Sequence, residues 1–154
     1  MELTIGSPAP AFSMVSSEKE IVSNETLKGK KALLLFFPAA FTGVCTKEMC
    51  SMRDDLATYN NLNANVVGIS TDSIFTLAKF KELQELNFTL ASDYNKEVSA
   101  AFGTAYKEFV HGMKGTSKRS AFVLDENGIV EYAEVLESAG DLPNFDAIKS
   151  ALAS

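Results

Sequence analysis

A run of six apolar residues at positions 32–37, followed directly by Pro38, constrains the fold more than any other feature of this chain. Lys30 and Lys31 precede the run, so the pattern predicts a buried central strand that ends at the proline. Sequence typical of a helix begins within a few residues and contains Cys45. We therefore expect Cys45 where a strand ends and a helix begins, since unpaired backbone N–H groups and the helix dipole favour a thiolate there.

Strands and helices alternate along most of the remaining sequence. The pattern predicts an N-terminal hairpin turning at 16–19, strands over 65–70, 88–90, 120–124 and 128–133, and helices over 42–61, 72–86, 95–102 and 143–154. Asn24 is expected to cap a single helical turn, and Thr71 or Asp72 to cap the helix after the second buried strand. Asn127 and Gly128 are a strong hairpin signal between the last two strands.

This order of elements predicts a single domain over residues 1–154, of the α/β class and with a mixed central sheet. The arrangement resembles the thioredoxin-like plan, a three-layer α/β/α fold. It differs from that plan by an N-terminal β-hairpin extension and an extra helical insertion. A chain of this length is long enough to bury a substantial core.

Charge and hydropathy exclude several classes of partner. The formal net charge is −6 and the fourteen basic residues are scattered, so we expect no nucleic-acid partner. The longest apolar run is too short to cross a bilayer, and residues 1–6 lack the basic and apolar regions of a signal peptide. We therefore expect no membrane association and a cytoplasmic location, where thiols stay mostly reduced.

The residues near Cys45 fit the chemistry of peroxide reduction, in which a thiolate attacks one oxygen and the other oxygen leaves with negative charge. Thr42 lies three residues before Cys45, so in a first helical turn its hydroxyl shares a face with the sulfur. Pro38 has no N–H and can shield the sulfur with apolar surface. Arg119 precedes a predicted strand and is the candidate cation, because a guanidinium stays charged and presents a fixed fork of donors.

These residues form a pattern, Pro38-x-x-x-Thr42-x-x-Cys45, that resembles the signature of the peroxiredoxin family. Arg119 stands where that family has its active-site arginine, and Glu48 matches a polar position that orients the arginine. The resemblance implies that Cys45 is the peroxidatic cysteine and is oxidised to sulfenic acid. It also implies hydrogen peroxide and small organic hydroperoxides as substrates, thioredoxin or a similar thiol as reductant, and no metal, haem or flavin cofactor.

Cys50 is the second cysteine and the candidate resolving thiol, which would form a disulfide with the oxidised Cys45. On an α-helix a five-residue offset gives about 7.5 Å of rise and about 140° of rotation. An intact helix therefore forbids the bond, because the two Cα atoms of a disulfide lie within about 7 Å. If the bond forms, the first turns of the helix must unwind. The alternative is that Cys50 is a small buried hydrophobe.

The sequence resembles two branches of the family. The spacing Cys45-x-x-x-x-Cys50 is similar to the bacterioferritin-comigratory, PrxQ-like branch, whereas Gly43 and Val44 depart from the Pro-Gly of that branch. The stretch from position 36 to Cys45 is closer to the AhpE-like branch, whose members often use one cysteine and an external thiol. That second resemblance also implies homodimers formed near the active site. Candidate contact residues are Phe41, Phe75, Phe109 and Met113.

Other readings of the two cysteines remain open from the residues alone. A thioredoxin-type dithiol oxidoreductase prefers Cys-x-x-Cys, whereas four residues separate these cysteines. A structural zinc site needs four ligands, and the chain has two cysteines and one histidine, His111, in a Gly-rich stretch typical of a solvated loop. A non-enzymatic redox sensor would share the Cys45 chemistry and pass its oxidation to a partner protein.

Overall fold

The computed structural model describes residues 3–154. The segment 1–6, which is expected not to be a signal peptide, therefore lies partly outside the described residues. The strands are β1 (Ser13–Ser16), β2 (Ile21–Ser23), β3 (Lys31–Phe36), β4 (Ala64–Ser70), β5 (Thr89–Ser92), β6 (Ser120–Leu124) and β7 (Val130–Val135). The α-helices are α1 (Asn24–Leu27), α2 (Gly43–Asp54), α3 (Leu56–Asn61), α4 (Ile74–Leu83), α5 (Glu97–Ala101) and α6 (Phe145–Ala153). A 3₁₀ turn, Val110–Gly112, contains the exposed His111.

One seven-stranded sheet runs through the described residues in the order β2-β1-β5-β4-β3-β6-β7. The three central strands β5, β4 and β3 are parallel, whereas β1, β2, β6 and β7 pair antiparallel with their neighbours. The predicted mixed sheet is therefore confirmed. The N-terminal hairpin and the antiparallel pairing of the last two strands are found where the turn signals placed them.

The two faces of β3 explain the layers. All but the first of its residues are buried, because helices cover the sheet on both sides. Leu33 and Leu35 belong to a core cluster shared with α2, α3, α4 and α6, whereas Leu34 and Phe36 belong to a second cluster shared with α5 and the N-terminal hairpin. The predicted three-layer α/β/α architecture is confirmed.

Residues 42–61, predicted as one helix, form two helices that meet at Asp55. The backbone of Asp55 is not helical, with φ −107° and ψ 11°. Its carboxylate accepts a hydrogen bond from the Thr58 hydroxyl at 2.8 Å and pairs with Lys149 of α6. The hydrogen bonds of an aspartate side chain offer the backbone an alternative to continuous helix, which explains why α2 ends at Asp54, directly before Asp55.

Both predicted caps fall on a neighbouring serine instead. Ser23, not Asn24, caps α1, and its hydroxyl accepts from the backbone N–H of Thr26. The Asn24 amide is occupied elsewhere, since its oxygen accepts a hydrogen bond from Phe12 N–H at 2.6 Å. Ser73, rather than Thr71 or Asp72, caps α4. In each case several capping residue types stood side by side, and tertiary contacts selected one.

The register of β3 and β6 positions the predicted cation. Phe36 pairs with Ser120 in the antiparallel ladder, so Arg119, which directly precedes β6, lies beside the carboxyl end of β3. Helix α2 begins from the same end and packs closely on β4. Gly68 permits this approach, because a Cβ atom there would lie 3.2 Å from Met49 Sδ and 2.8 Å from Leu90 Cδ2.

Candidate active site

Cys45 lies in the first turn of α2, and its side chain is buried. The guanidinium of Arg119 reaches it from the other side of the β3 terminus, and Nη2 donates a hydrogen bond to Cys45 Sγ at 3.2 Å. The two residues are 74 positions apart in sequence. A buried sulfur that accepts from a guanidinium at the N-terminal turn of a helix is an environment that favours the thiolate.

Glu48 fixes the position of the guanidinium. Arg119 Nη1 donates to Glu48 Oε1 at 2.6 Å, and the side chains of both residues are almost completely excluded from solvent. Arg119 Nη2 also donates to the backbone carbonyl of Ala139 at 3.0 Å, in the segment between β7 and α6. The guanidinium is therefore held by a carboxylate, a sulfur and a carbonyl.

Burial and charge act in opposite directions on the ion pair. Burial raises the pKa of Glu48 to about 7, although the positive charge and hydrogen bond of Arg119 lower it. Burial lowers the pKa of Arg119, but the negative partners Glu48 and Cys45 raise it by more, so Arg119 stays protonated. Glu48 can thus change its charge near neutral pH.

Two buried polar atoms of this cluster have no hydrogen-bond partner among the described residues, Arg119 Nε and Glu48 Oε2. A buried donor without a partner is costly, so such atoms are common where a ligand binds. Arg119 Nε–H is a donor that Glu48, Cys45 and Ala139 leave unused. The arrangement can therefore hold a thiolate and donate to a polar substrate at once.

Thr42 occupies the N-cap position of α2, yet its hydroxyl does not cap the helix. The hydroxyl donates to the carbonyl of Ala39 at 2.7 Å, and the residue is exposed. Within the described residues the structure therefore does not join Thr42 to the sulfur by a hydrogen bond, although both lie at the start of α2. The oxygen lone pairs of Thr42 remain available to accept from a substrate. Pro38 is buried at the end of β3.

The structure does not bring Cys50 to Cys45. Both cysteines are free thiols on the intact helix α2, and Cys50 is half-buried. Its Sγ donates to the side-chain oxygen of Gln84, the C-cap residue of α4, at 3.5 Å. Arg53 Nη1 donates to the backbone carbonyl of the same Gln84 at 2.6 Å. Cys50 is thus directed at α4 and away from Arg119.

Comparison with known proteins identifies the family of this chain. A model of the AhpC/TSA family matches residues 5–133. This chain belongs to the AhpC/TSA family. Peroxiredoxin Bcp of Escherichia coli is 34% identical over 131 residues, 84% of each chain. A provisionally named peroxiredoxin of Mycobacterium tuberculosis is 39% identical over 134 residues, 86% of this chain and 85% of its own.

A solved structure extends the likeness to the whole fold. The crystal structure of peroxidoxin BcpB from Mycobacterium tuberculosis matches with a TM-score of 0.85 and 29% identity, and covers 98% of this chain and 97% of its own. The predicted membership of the peroxiredoxin family is confirmed, and with it the prediction of an oxidoreductase that is a thiol-dependent peroxidase. The Bcp names favour the bacterioferritin-comigratory branch of the two that the sequence resembles.

Over residues 3–154 no group of three or more His, Cys, Asp or Glu side chains is placed to hold a metal ion. None of the helices in this part of the chain is long and apolar enough to cross a membrane.

Sequence reasoning missed one residue that contacts Arg119 in this cluster, Ala139. It contributes a backbone carbonyl, which every residue type possesses, so no side-chain signal distinguishes it. Its position follows from the path of the chain after β7, where Leu136 N–H donates to the carbonyl of Arg119 at 2.9 Å. That bond holds the segment after β7 beside Arg119. Three residues further along, the Ala139 carbonyl accepts the hydrogen bond from the guanidinium.

Proposed function

We propose that the thiolate of Cys45 attacks the terminal oxygen of a hydroperoxide, and that Arg119 activates the sulfur and orients the substrate. A sulfur–oxygen bond forms, the oxygen–oxygen bond breaks, and the leaving alkoxide or hydroxide takes up a proton to give an alcohol or water. Cys45 becomes a sulfenic acid. The observation that carries this proposal is the hydrogen bond of 3.2 Å from Arg119 Nη2 to the buried Cys45 Sγ.

Thr42 and Pro38 complete the proposed site. The Thr42 hydroxyl donates to Ala39, which leaves its oxygen able to accept from the O–H of a bound hydroperoxide. Arg119 Nε–H lacks a partner among the described residues and can donate to the departing oxygen. Together these groups would align the O–O bond with the sulfur. Buried Pro38 excludes water from one side of the sulfur.

Cys50 is the proposed resolving cysteine. The sulfenic acid of Cys45 condenses with the Cys50 thiol, a disulfide forms and water is released. The intact helix separates the residues by about 7.5 Å of rise, so α2 must unwind before the bond can close. Thioredoxin or a similar thiol then reduces the disulfide by exchange.

One observation supports a second route. Cys50 donates a hydrogen bond to Gln84 and lies on an unbroken helix, so a route that uses an external thiol in place of Cys50 does not need the disulfide that would unwind α2. In that one-cysteine route, Cys50 has no chemical role. A redox sensor would begin with the same oxidation but would transfer it to one partner protein and would not turn over with a small thiol.

We also propose that the chain forms a single domain over residues 1–154, that the protein is located in the cytoplasm, and that it forms a homodimer. Three of the candidate dimer contacts are exposed near the start of α2 and α4 and in the 3₁₀ region: Phe41 at 49%, Phe75 at 73% and Met113 at 42%. Large exposed apolar side chains of this kind are common at protein–protein contacts. Phe109 is half-buried and stacks on Tyr106 at 4.7 Å between ring centroids. A reducing compartment would supply the thiol donor.

Turnover of hydroperoxide tests the proposal. The wild-type protein should consume hydrogen peroxide catalytically with dithiothreitol or thioredoxin, and Cys45→Ser should abolish turnover. The matched variant Cys50→Ser should still form sulfenic acid, detected by dimedone labelling and mass spectrometry. Turnover that survives Cys45→Ser would contradict the assignment, and a single oxidation that stalls in the presence of both thiols would favour the sensor.

A further inference from the structure

The turn that delivers Cys45 to its helix contains a strained residue. Phe41, four positions before the cysteine, has φ of 64°, in the left-handed region that is unfavourable for a residue with a Cβ atom. Its neighbours close the turn, since the Thr42 hydroxyl donates to the Ala39 carbonyl. A non-glycine residue in this conformation persists only where surrounding contacts hold it.

Two contacts hold this turn: the Phe41 ring packs edge-on against Phe80, with 5.1 Å between ring centroids, and Asp72, just beyond β4, binds the backbone of Ala40. Asp72 Oδ2 accepts a hydrogen bond at 2.8 Å from the backbone N–H of Ala40, the residue directly before Phe41. This is a bond from one loop to another, 32 residues away along the chain. It ties the active-site turn to the carboxyl end of the neighbouring parallel strand.

Asp72 is itself held by two buried serines. The Ser70 hydroxyl donates to the same Oδ2 at 2.7 Å, and the Ser92 hydroxyl of β5 donates to the Asp72 carbonyl at 2.5 Å. In residues 3–154 no lysine or arginine pairs with the Asp72 carboxylate. Its role is therefore hydrogen bonding from a fixed position rather than charge neutralisation.

We propose that Asp72 is a positioning residue for peroxide reduction, which anchors Ala40 so that the strained Phe41 turn sets Thr42 and Cys45 in their reactive geometry. This inference rests on the proposed function of Cys45. Asp72 does not touch the sulfur and acts only through the turn. Loss of the anchor would let Phe41 relax toward negative φ, which would shift the start of α2 relative to Arg119. Attack on peroxide requires the O–O bond to be aligned with the sulfur, whereas alkylation does not. The rate of Cys45 oxidation should therefore fall more than the rate of its alkylation.

The test measures two rates on each variant: oxidation of Cys45 by hydrogen peroxide, and alkylation of Cys45 by iodoacetamide in a Cys50→Ser background. Asp72→Ala should slow oxidation by about 10- to 100-fold and alkylation by less than about threefold, because misalignment affects only the directed reaction. Asp72→Asn keeps an oxygen acceptor for Ala40 and should retain most of the oxidation rate. The matched control is Asp125→Ala. Asp125 also accepts hydrogen bonds from backbone N–H groups of a turn, but it follows the carboxyl end of β6, whereas Arg119 precedes the amino end.

Relief of the strain gives the decisive comparison. Glycine adopts positive φ without penalty, so Phe41→Gly should make the anchor dispensable. The substitution also removes the ring contact with Phe80, so the Phe41→Gly protein is the reference, and Asp72→Ala added to it should cost less than about threefold in oxidation rate. Should Asp72→Ala fail to fold, Ser70→Ala gives a weaker loss of the same selectivity. Equal oxidation rates for wild type and Asp72→Ala, or losses that simply multiply with Phe41→Gly, would overturn the inference. Absence of peroxide reactivity in the wild type would instead reject the proposed function.

Discussion

Arg119 Nη1 lies 2.6 Å from Glu48 Oε1, while Nη2 of the same guanidinium lies 3.2 Å from Cys45 Sγ. Glu48 and Cys45 are three residues apart on one face of α2, so a single planar group spans both. The planar fork of arginine matches this arrangement, whereas the point charge of lysine would not. In the proposed mechanism, peroxide attack thus depends on a guanidinium that is held by the same helix whose cysteine it activates.

Replacement of Arg119 by alanine should reduce the rate of Cys45 oxidation by about 100- to 1,000-fold, the usual effect of losing one preorganised donor to developing charge. Arg119→Lys should recover only part of the rate, since one ammonium cannot serve Glu48 and Cys45 in the observed geometry. Stopped-flow oxidation with hydrogen peroxide measures both. Lys118→Ala removes the neighbouring cation, which pairs with Glu137, and is the control. An unchanged rate in Arg119→Ala would remove the residue from the site.

The pH dependence of stability should report Glu48. Its pKa is about 7 in the folded protein against 4.5 for an ordinary glutamate, so between these values the folded state binds a proton that the unfolded chain has released. The contribution of protonated Glu48 to the free energy of unfolding is therefore complete below pH 4.5 and is lost as the pH rises through 7.

Glu48→Gln should remove this dependence, because the amide cannot ionise. Denaturant unfolding at several pH values between 5 and 8 gives the difference in free energy of unfolding between wild type and variant. The difference should shift steadily in favour of the variant as the pH rises. A constant difference across that range would show that Glu48 ionises at its ordinary pKa.

Thr42 should be needed for its hydroxyl rather than its shape. Thr42→Val keeps the branched side chain but loses both the bond to Ala39 and the acceptor for substrate, so oxidation of Cys45 should slow by about 10- to 100-fold. Thr42→Ser keeps the hydroxyl and should stay within a few-fold of wild type. Stopped-flow oxidation separates the two, and equal rates for valine and serine would leave Thr42 a structural role only.

Oxidation should unwind part of α2. After one equivalent of peroxide, mass spectrometry should find a Cys45–Cys50 disulfide, and amide hydrogen exchange should increase over Gly43–Asp54 because an intact helix cannot contain that bond. The Cys50→Ser protein is the control and should keep its helix protected. Stable sulfenic acid, or a mixed disulfide with an added thiol, would support the one-cysteine route.

Local sequence was sufficient for much of the fold. The apolar run at 32–37 predicted the central strand, and the Asn127-Gly128 turn predicted the hairpin of β6 and β7, since both depend on neighbouring residues. The break at Asp55 and the caps at Ser23 and Ser73 were not predicted, because partners distant in sequence or competition between adjacent capping residues decided them.

The same division holds for the active site. Sequence alone determined the chemical groups: a cysteine at a strand-to-helix junction, a threonine one turn earlier, and an arginine before an apolar strand. Only the tertiary structure decided that Arg119 donates to Glu48 and Ala139, that Cys50 donates to Gln84, and that Asp72 accepts a hydrogen bond from the backbone of Ala40. The physical reason is that residue type and local periodicity set what a segment can form, whereas these bonds arise from the register of strands and the packing of loops far apart in the chain.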